Sequence, residues 1–106
     1  MYNLNASFKL EAESTAEFTG IFQGEIIPLL RRQKGFEDEI NFIAPERNEA
    51  VAISLWDKKE DADTYYEKRF PEILKALSKV IDGTPRVESF EVGNSTSHQI
   101  AASGVN

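Results

Sequence analysis

The stretch AVAISLWDKKEDADTYYEKRF, residues 50–70, runs apolar to a tryptophan and then turns abruptly charged. Val51, Ile53 and Leu55 alternate with Ala52, Ser54 and Trp56, which puts the two sets on opposite faces of a strand over 50–56. Asp57 followed three residues later by Glu60 has the spacing of a capping box, here built on Asp. A helix therefore opens directly after the strand and reaches about residue 69, where Phe70-Pro71 forces a break or kink. Trp56, the only tryptophan, sits where strand passes into helix, at the mouth of a pocket between the two layers.

The rest of the chain falls into place on either side. Downstream, Pro71 restarts the helix, and Ile73, Leu74, Leu77, Val80 and Ile81 carry an apolar stripe to Gly83. RVESFEV, 86–92, is a further strand with Val87, Ser89 and Glu91 opposite Glu88, Phe90 and Val92. Upstream, Leu4, Ala6, Phe8 and Leu10 alternate with Asn3, Asn5, Ser7 and Lys9, a half-buried strand over 2–10. Ser14 and Glu17 form another capping-box pair, and a helix over about 15–33 follows with Phe18, Phe22, Ile26, Leu29 and Leu30 on one stripe. Pro28 should bend it, and Gly35 stands where a helix C-cap wants a positive φ. Phe36, Ile40, Phe42 and Ala44 give a strand over 36–44, joined to 50–56 by the polar PERNE. The tail 93–106 is rich in Ser, Gly and Asn; Thr96, His98 and Ile100 alternate with Ser97, Gln99 and Ala101, so a short strand docked on a partner subunit is expected there.

The order β-α-β-β-α-β defines an α+β, ferredoxin-like fold over residues 1–92, with one antiparallel sheet and both helices on one face. The other face also carries apolar residues, and a single sheet does not leave such a face in water. That leftover face implies a partner.

Composition narrows the function. A chain of 106 residues supports one domain, and 41% hydrophobic with 28% charged is ordinary for a globule. There is no cysteine, which removes disulfides, thiolate metal sites and a Cys nucleophile. A single histidine builds no His-based metal cluster and no Ser-His-Asp triad within one chain. The net charge of −6, from 18 acids against 12 bases, repels phosphate backbones and argues against nucleic acid. No apolar run approaches the roughly 20 residues needed to cross a bilayer, and MYNLNASFKL lacks the marks of a signal peptide. A cytoplasmic location is the default expectation.

IIPLLRRQKGFEDEINFI, AVAISLWDKKEDADTYY and TPRVESFEV resemble the antibiotic-biosynthesis-monooxygenase domains of the dimeric α/β-barrel superfamily. The matching features are a helix ending in Pro-x-Leu before Gly-Phe, a strand ending in Trp, and a last strand like VESFEV. The resemblance implies a homodimer in which two sheets close into one barrel with the helices outside, burying the leftover face. It also implies a small aromatic or quinol-like ligand. Some relatives are cofactor-free oxygenases that stabilise a deprotonated substrate and let it reduce oxygen; others degrade haem.

By that resemblance Trp56 borders the pocket, where its ring could stack on a flat ligand and donate one hydrogen bond; plain core packing is the competing reading. Tyr66 lies ten residues on, where haem-degrading relatives carry their iron-ligating His. A phenol replaces an imidazole poorly, which counts against haem. Tyr65 and Tyr66 point about 100° apart on a helix, so only one faces the pocket squarely. Arg69 could pair with an anionic enolate or phenolate, or simply be solvated. Substrate-binding roles are thus expected for Trp56, Tyr66 and Arg69, with no metal, no cofactor and the catalytic residues open. Glu37, Asp38 and Glu39 alternate faces along their strand and form no convergent carboxylate pair, while Asn5 and Ser7 face either the barrel centre or the pocket. His98 belongs to the tail, where solvent or a partner surface is its expected neighbour.

Overall fold

A computed structural model describes residues 1–98 and 100. The chain runs β1 (Tyr2–Lys9), α1 (Thr15–Ile21), a π-helical turn (Phe22–Ile26), α2 (Ile27–Arg31), β2 (Phe36–Ala44), β3 (Glu49–Trp56), α3 (Lys59–Lys68), α4 (Phe70–Leu77) and β4 (Arg86–Glu91). The strands form one antiparallel sheet in the order β2-β3-β1-β4, the ferredoxin-like arrangement expected from the element order.

The alternation of β1 and β3 decides which face the helices cover. Leu4, Ala6 and Phe8 pair with Ser54, Ala52 and Ala50 across the ladder, and this set, with Trp56, is buried. Four of these residues are alanine or serine, so the helix layer supplies the bulk. Phe18, Phe22, Ile26 and Leu30 descend from one side, Tyr65, Phe70, Ile73 and Leu77 from the other. Phe18 meets Phe8 edge-on with ring centroids 5.4 Å apart.

On β2 the expected alternation changes phase. Phe36 pairs with Trp56, but Asp38 pairs with Leu55, so Glu37 is an extra residue in a β-bulge. Beyond it, Glu39, Asn41 and Ile43 lie opposite Ser54, Ala52 and Ala50, on the helix face, while Ile40 and Phe42 lie opposite Ile53 and Val51 on the open face. Phe36, Ile40 and Phe42 therefore do not share a side. The bulge carries two large apolar residues outward and one carboxylate inward.

The helices also depart from their sequence reading in instructive ways. The 15–33 helix does not simply bend at Pro28; it widens into the π turn immediately before it. That widening removes the need for the bond that proline cannot donate. Ser14 precedes α1 but caps nothing with its side chain, its hydroxyl lying 3.5 Å from the Ala12 carbonyl. Likewise Asp57 is not the cap of α3, which starts at Lys59 after Lys58 in extended backbone. The second helix breaks at Arg69, as Phe70-Pro71 demands, but ends at Leu77 rather than Gly83. Residues beyond it are taken by the end of β1: Glu11 N–H donates to Val80 O at 2.9 Å, and Asp82 N–H to Lys9 O at 2.7 Å.

The open face carries Ile40, Phe42 and Phe90, each about half exposed, beside Val51, Ile53 and Leu55. Asn5 and Ser7 also lie on this side, opposite Ile53 and Val51. In the tail, the Ser95 hydroxyl accepts hydrogen bonds from the backbone of Ser97 (3.1 Å) and His98 (3.0 Å). His98 Nε2 lies 2.6 Å from Asp38 Oδ2. Gln99 and 101–106, to which part of the expected tail strand was assigned, lie outside the described residues.

Gly35 joins the two halves. Its φ is +80°, its carbonyl accepts the Asp57 N–H at 2.7 Å, and an added Cβ would collide with the Asp61 carboxylate at the start of α3. Gly35→Ala should lower stability by about 1–3 kcal/mol through backbone strain plus displacement of α3. Gly20→Ala, on a helix with open space around it, should instead be neutral or stabilising by roughly 0.5–1 kcal/mol. Urea unfolding of the two variants checks the contrast, and equal midpoints would remove the role given to Gly35.

Candidate functional site

Small sheet residues leave a space that the helix layer only partly fills. A narrow pocket of about 370 Å³ lies over Leu4, Ala6, Ala52 and Ser54, roofed by Tyr65, Tyr66 and Phe70, with Phe22 and Glu39 on its far wall. Much of that volume is the mouth; the enclosed part admits little more than a water molecule. The lining is mainly hydrocarbon and aromatic, with Ser54, two phenols and one carboxylate as its polar groups.

Each side chain is set there by its element. Tyr65 and Tyr66 come from α3 one residue apart. Tyr65 points inward and is buried, whereas Tyr66 is 45% exposed and sits at the mouth. Both border the pocket, one as its inner wall and one as its lip. The break at Arg69 turns Phe70 back toward them, with its ring 5.2 Å from that of Tyr66 and 6.3 Å from that of Tyr65. Phe22 arrives from the π turn, a wide helical segment often found at functional sites.

Trp56 stands one ring behind the pocket rather than on its wall. It is fully buried, stacks on Tyr65 at 4.8 Å and meets Phe36 edge-on at 5.6 Å. Its indole N–H donates to Ser54 Oγ at 2.9 Å, which uses the one hydrogen bond a ligand could have taken. Arg69 is not brought to the pocket either; half exposed, it pairs with Glu72 at 2.7 Å. Of the three residues singled out from sequence, only Tyr66 borders the space. His98 is on the opposite face of the sheet, against Asp38.

Glu39 is the polar residue that sequence reading did not find. Its Oε2 is shut off from water and has no hydrogen-bond partner. Burial pushes its carboxyl up to about 7. The Tyr65 phenol is raised well above its ordinary range, first by burial and then by the nearby Glu39 charge. Tyr65 therefore offers an O–H, not an anion. The missing signal was the bulge, since an unbroken alternation from Phe36 would have turned Glu39 away. Among the described residues, no three His, Asp or Glu side chains converge as a metal site, and no helix is long and apolar enough to cross a membrane.

Comparison with known proteins fixes the class of fold. No family model matches the sequence, and no curated protein matches it in a sequence search. Solved structures do match along nearly the whole chain. SnoaB, a cofactor-independent oxygenase from Streptomyces nogalater, superposes with a TM-score of 0.73 at 18% identity, over 92% of this chain and 97% of its own. A monooxygenase from the ActVA-Orf6 gene of Streptomyces coelicolor, crystallised with nanaomycin D, gives 0.73 at 15% identity, over 89% and 88%. A Bordetella bronchiseptica protein assigned to the antibiotic-biosynthesis monooxygenases gives 0.72 at 17% identity, over 86% and 95%. The fold is that of the antibiotic-biosynthesis-monooxygenase proteins. At these identities the likeness speaks for fold, and one fold serves many reactions.

Glu39 makes stability depend on pH with a definite sign. Its folded value, about 7, lies above the ordinary 4.5, so the folded chain binds more protons between the two. Its contribution is therefore greatest below pH 4.5 and is lost as pH rises through 7. Glu39→Gln should leave stability near pH 4 little changed and raise it at pH 8 by roughly 1–2 kcal/mol, allowing for partial solvent contact. Urea titrations of both proteins across that range would decide it; a parallel pH dependence would show that Glu39 titrates normally.

Proposed function

We propose that the protein is a small cofactor-independent monooxygenase-like protein that binds an aromatic or quinol-like metabolite between the sheet and α3–α4, and that it acts as a homodimer. The observation that carries the site is the aromatic roof of Tyr65, Tyr66 and Phe70 over an apolar floor. Such a lining suits a planar hydrophobic ligand far better than a sugar or a phosphate. The fold neighbours include an oxygenase that needs no cofactor and a monooxygenase crystallised with nanaomycin D. A chain with no cysteine and one histidine is poor in ligands for a bound metal, which favours chemistry driven by the substrate itself.

A second reading has its own support. The enclosed part of the pocket is small, as expected for a non-catalytic ligand-binding or stress-associated member of the same fold whose site opens only around its ligand, or for a dimerisation module with a filled core. On either ligand-binding reading, Tyr66 and Phe70 must shift to admit a ring. Trp56 then senses the event through Tyr65, which stacks on it.

The dimer rests on the open face. Ile40, Phe42 and Phe90 with Val51, Ile53 and Leu55 form an apolar surface on the side the helices do not cover. A second copy laid on it would bury both faces at once.

Two expected outcomes follow. Light scattering should give twice 11.9 kDa, and Phe42→Glu should give a folded monomer; a monomeric native chain would remove the barrel. A panel of quinols should quench Trp56 saturably and accelerate oxygen uptake, with Tyr66→Ala weakening binding about fivefold or more through loss of one stacking face. Quenching without oxygen uptake would select the binding protein, and no quenching would favour the filled module.

A further inference from the structure

Glu39 stands between two spaces. One is the inner pocket. The other is a groove of about 930 Å³ on the outside of the molecule, lined by Thr19, Gln23 and Arg31 of the first helical layer and by Asn41 of β2. Only Phe22 and Glu39 belong to both walls. Glu39 Oε2 is dry and unpartnered, and Asn41 Oδ1, two residues along the same strand face, is also buried without a partner. Buried acceptors in folded proteins are normally satisfied, so two adjacent orphans on one wall mark a place where donors arrive from outside the chain. A ligand hydroxyl is the donor that the inner pocket can admit, and water is the donor that the groove can admit.

We propose that Glu39 is the pocket's proton acceptor: it takes the proton of a phenolic or enolic hydroxyl held under Tyr65, Tyr66 and Phe70 and releases it to water in the outer groove. This role rests on the reading of the inner pocket as a ligand site. In the first step the ligand O–H bond breaks, an O–H bond forms on Glu39, and the electron pair stays on the ligand oxygen. In the second, that proton passes to groove water and the carboxylate is restored. No electrons leave the pair, and no co-reactant is required. The ionised ligand is the electron-rich species that an oxygenase of this kind would need.

The surroundings suit the role. Burial raises the Glu39 carboxyl to about 7, so it is partly ionised near neutrality and is a stronger base than an ordinary glutamate. From α3 it faces Tyr65 and Tyr66, the former held protonated and able to donate to the oxygen that loses its proton. From the end of α2 it faces Arg31 across the groove, and no ion pair joins them among the described residues. An ion pair there would have lowered its basicity.

The test uses the full chain with 4-nitrophenol as probe, an acidic phenol whose ionised form absorbs in the visible. In ¹³C-glutamate-labelled protein without probe, one carboxyl should titrate near neutrality and vanish in Glu39→Gln. At pH 8, where Glu39 and the free probe are both largely ionised, binding to the native protein should take up about one proton from solution and bleach the phenolate band, that proton being shared between the carboxyl and the phenol oxygen. Glu39→Gln should still bind the probe yet take up none, and Glu39→Asp should recover part of the uptake. An ordinary Glu39 titration, or equal proton uptake in Glu39→Gln, would overturn the role while leaving the pocket as a ligand site. Failure of both proteins to bind the probe would overturn the pocket reading and this role with it. Should Glu39→Gln not fold, the same comparison is made with Glu39→Asp, where an undiminished uptake counts against the role.

Discussion

One side chain ties the layers together. The Trp56 indole is held by the Ser54 hydroxyl two residues back on the same strand, wedged edge-on against Phe36 and stacked under Tyr65. It thus fixes the end of β3, the start of β2 and the second turn of α3 relative to one another. A fully buried tryptophan removes one of the largest possible apolar areas from water, worth several kcal/mol by area. Because its only polar atom is already satisfied, nothing about it asks for an external partner. What it does instead is aim Tyr65. The phenol that closes the inner pocket is placed by a ring that does not touch the pocket.

The same economy explains why the sheet has two unlike faces. Where the helices lie, β1 and β3 present Ala6, Ala50, Ala52 and Ser54, and the large rings come down from above. Aromatic rings meeting a floor of small side chains rarely fill every gap, and the pocket is the gap that remains. On the other face the bulge at Glu37 has turned Ile40 and Phe42 outward beside Val51, Ile53 and Leu55. One inserted residue therefore serves both faces, thickening the apolar side and sending a carboxylate to the side that holds the pocket.

This is also where the sequence stops being legible. Period-two and helical patterns locate all four strands and the helical layer between them, because burial of one face imposes them directly. The break at Arg69 and the turn at Gly35 are legible too, since proline and glycine leave few backbone options. A bulge has no such signature; it is decided by how β2 fits beside Trp56 at Phe36, a contact between residues twenty positions apart. The roles given to Trp56 and Arg69 rested on position along the chain, and the packing partners that claim them, Ser54 and Glu72, are visible only once the chain is folded. The capping boxes failed for a related reason: local spacing permits the bond, but the entry angle of the chain decides whether it forms.

A likeness of fold to oxygenases does not by itself supply a reaction, so the weight falls on what the pocket can do. An aromatic enclosure alone binds flat molecules without discriminating among them. A base changes that, because it favours ligands that carry an ionisable hydroxyl at the right edge of the ring. Glu39 is costly to keep where it is: partly desolvated, with one carboxylate oxygen shut off from water and unpaired, and close enough to Tyr65 to push that phenol further from ionisation. A hydrocarbon at position 39 would pack against Phe22 and Tyr65 with none of that strain. A structural module has no use for the carboxylate, whereas a site that must draw a proton from its ligand and return it to water needs an acidic side chain that touches both spaces. Glu39 is the one titratable side chain lining both the pocket and the outer groove.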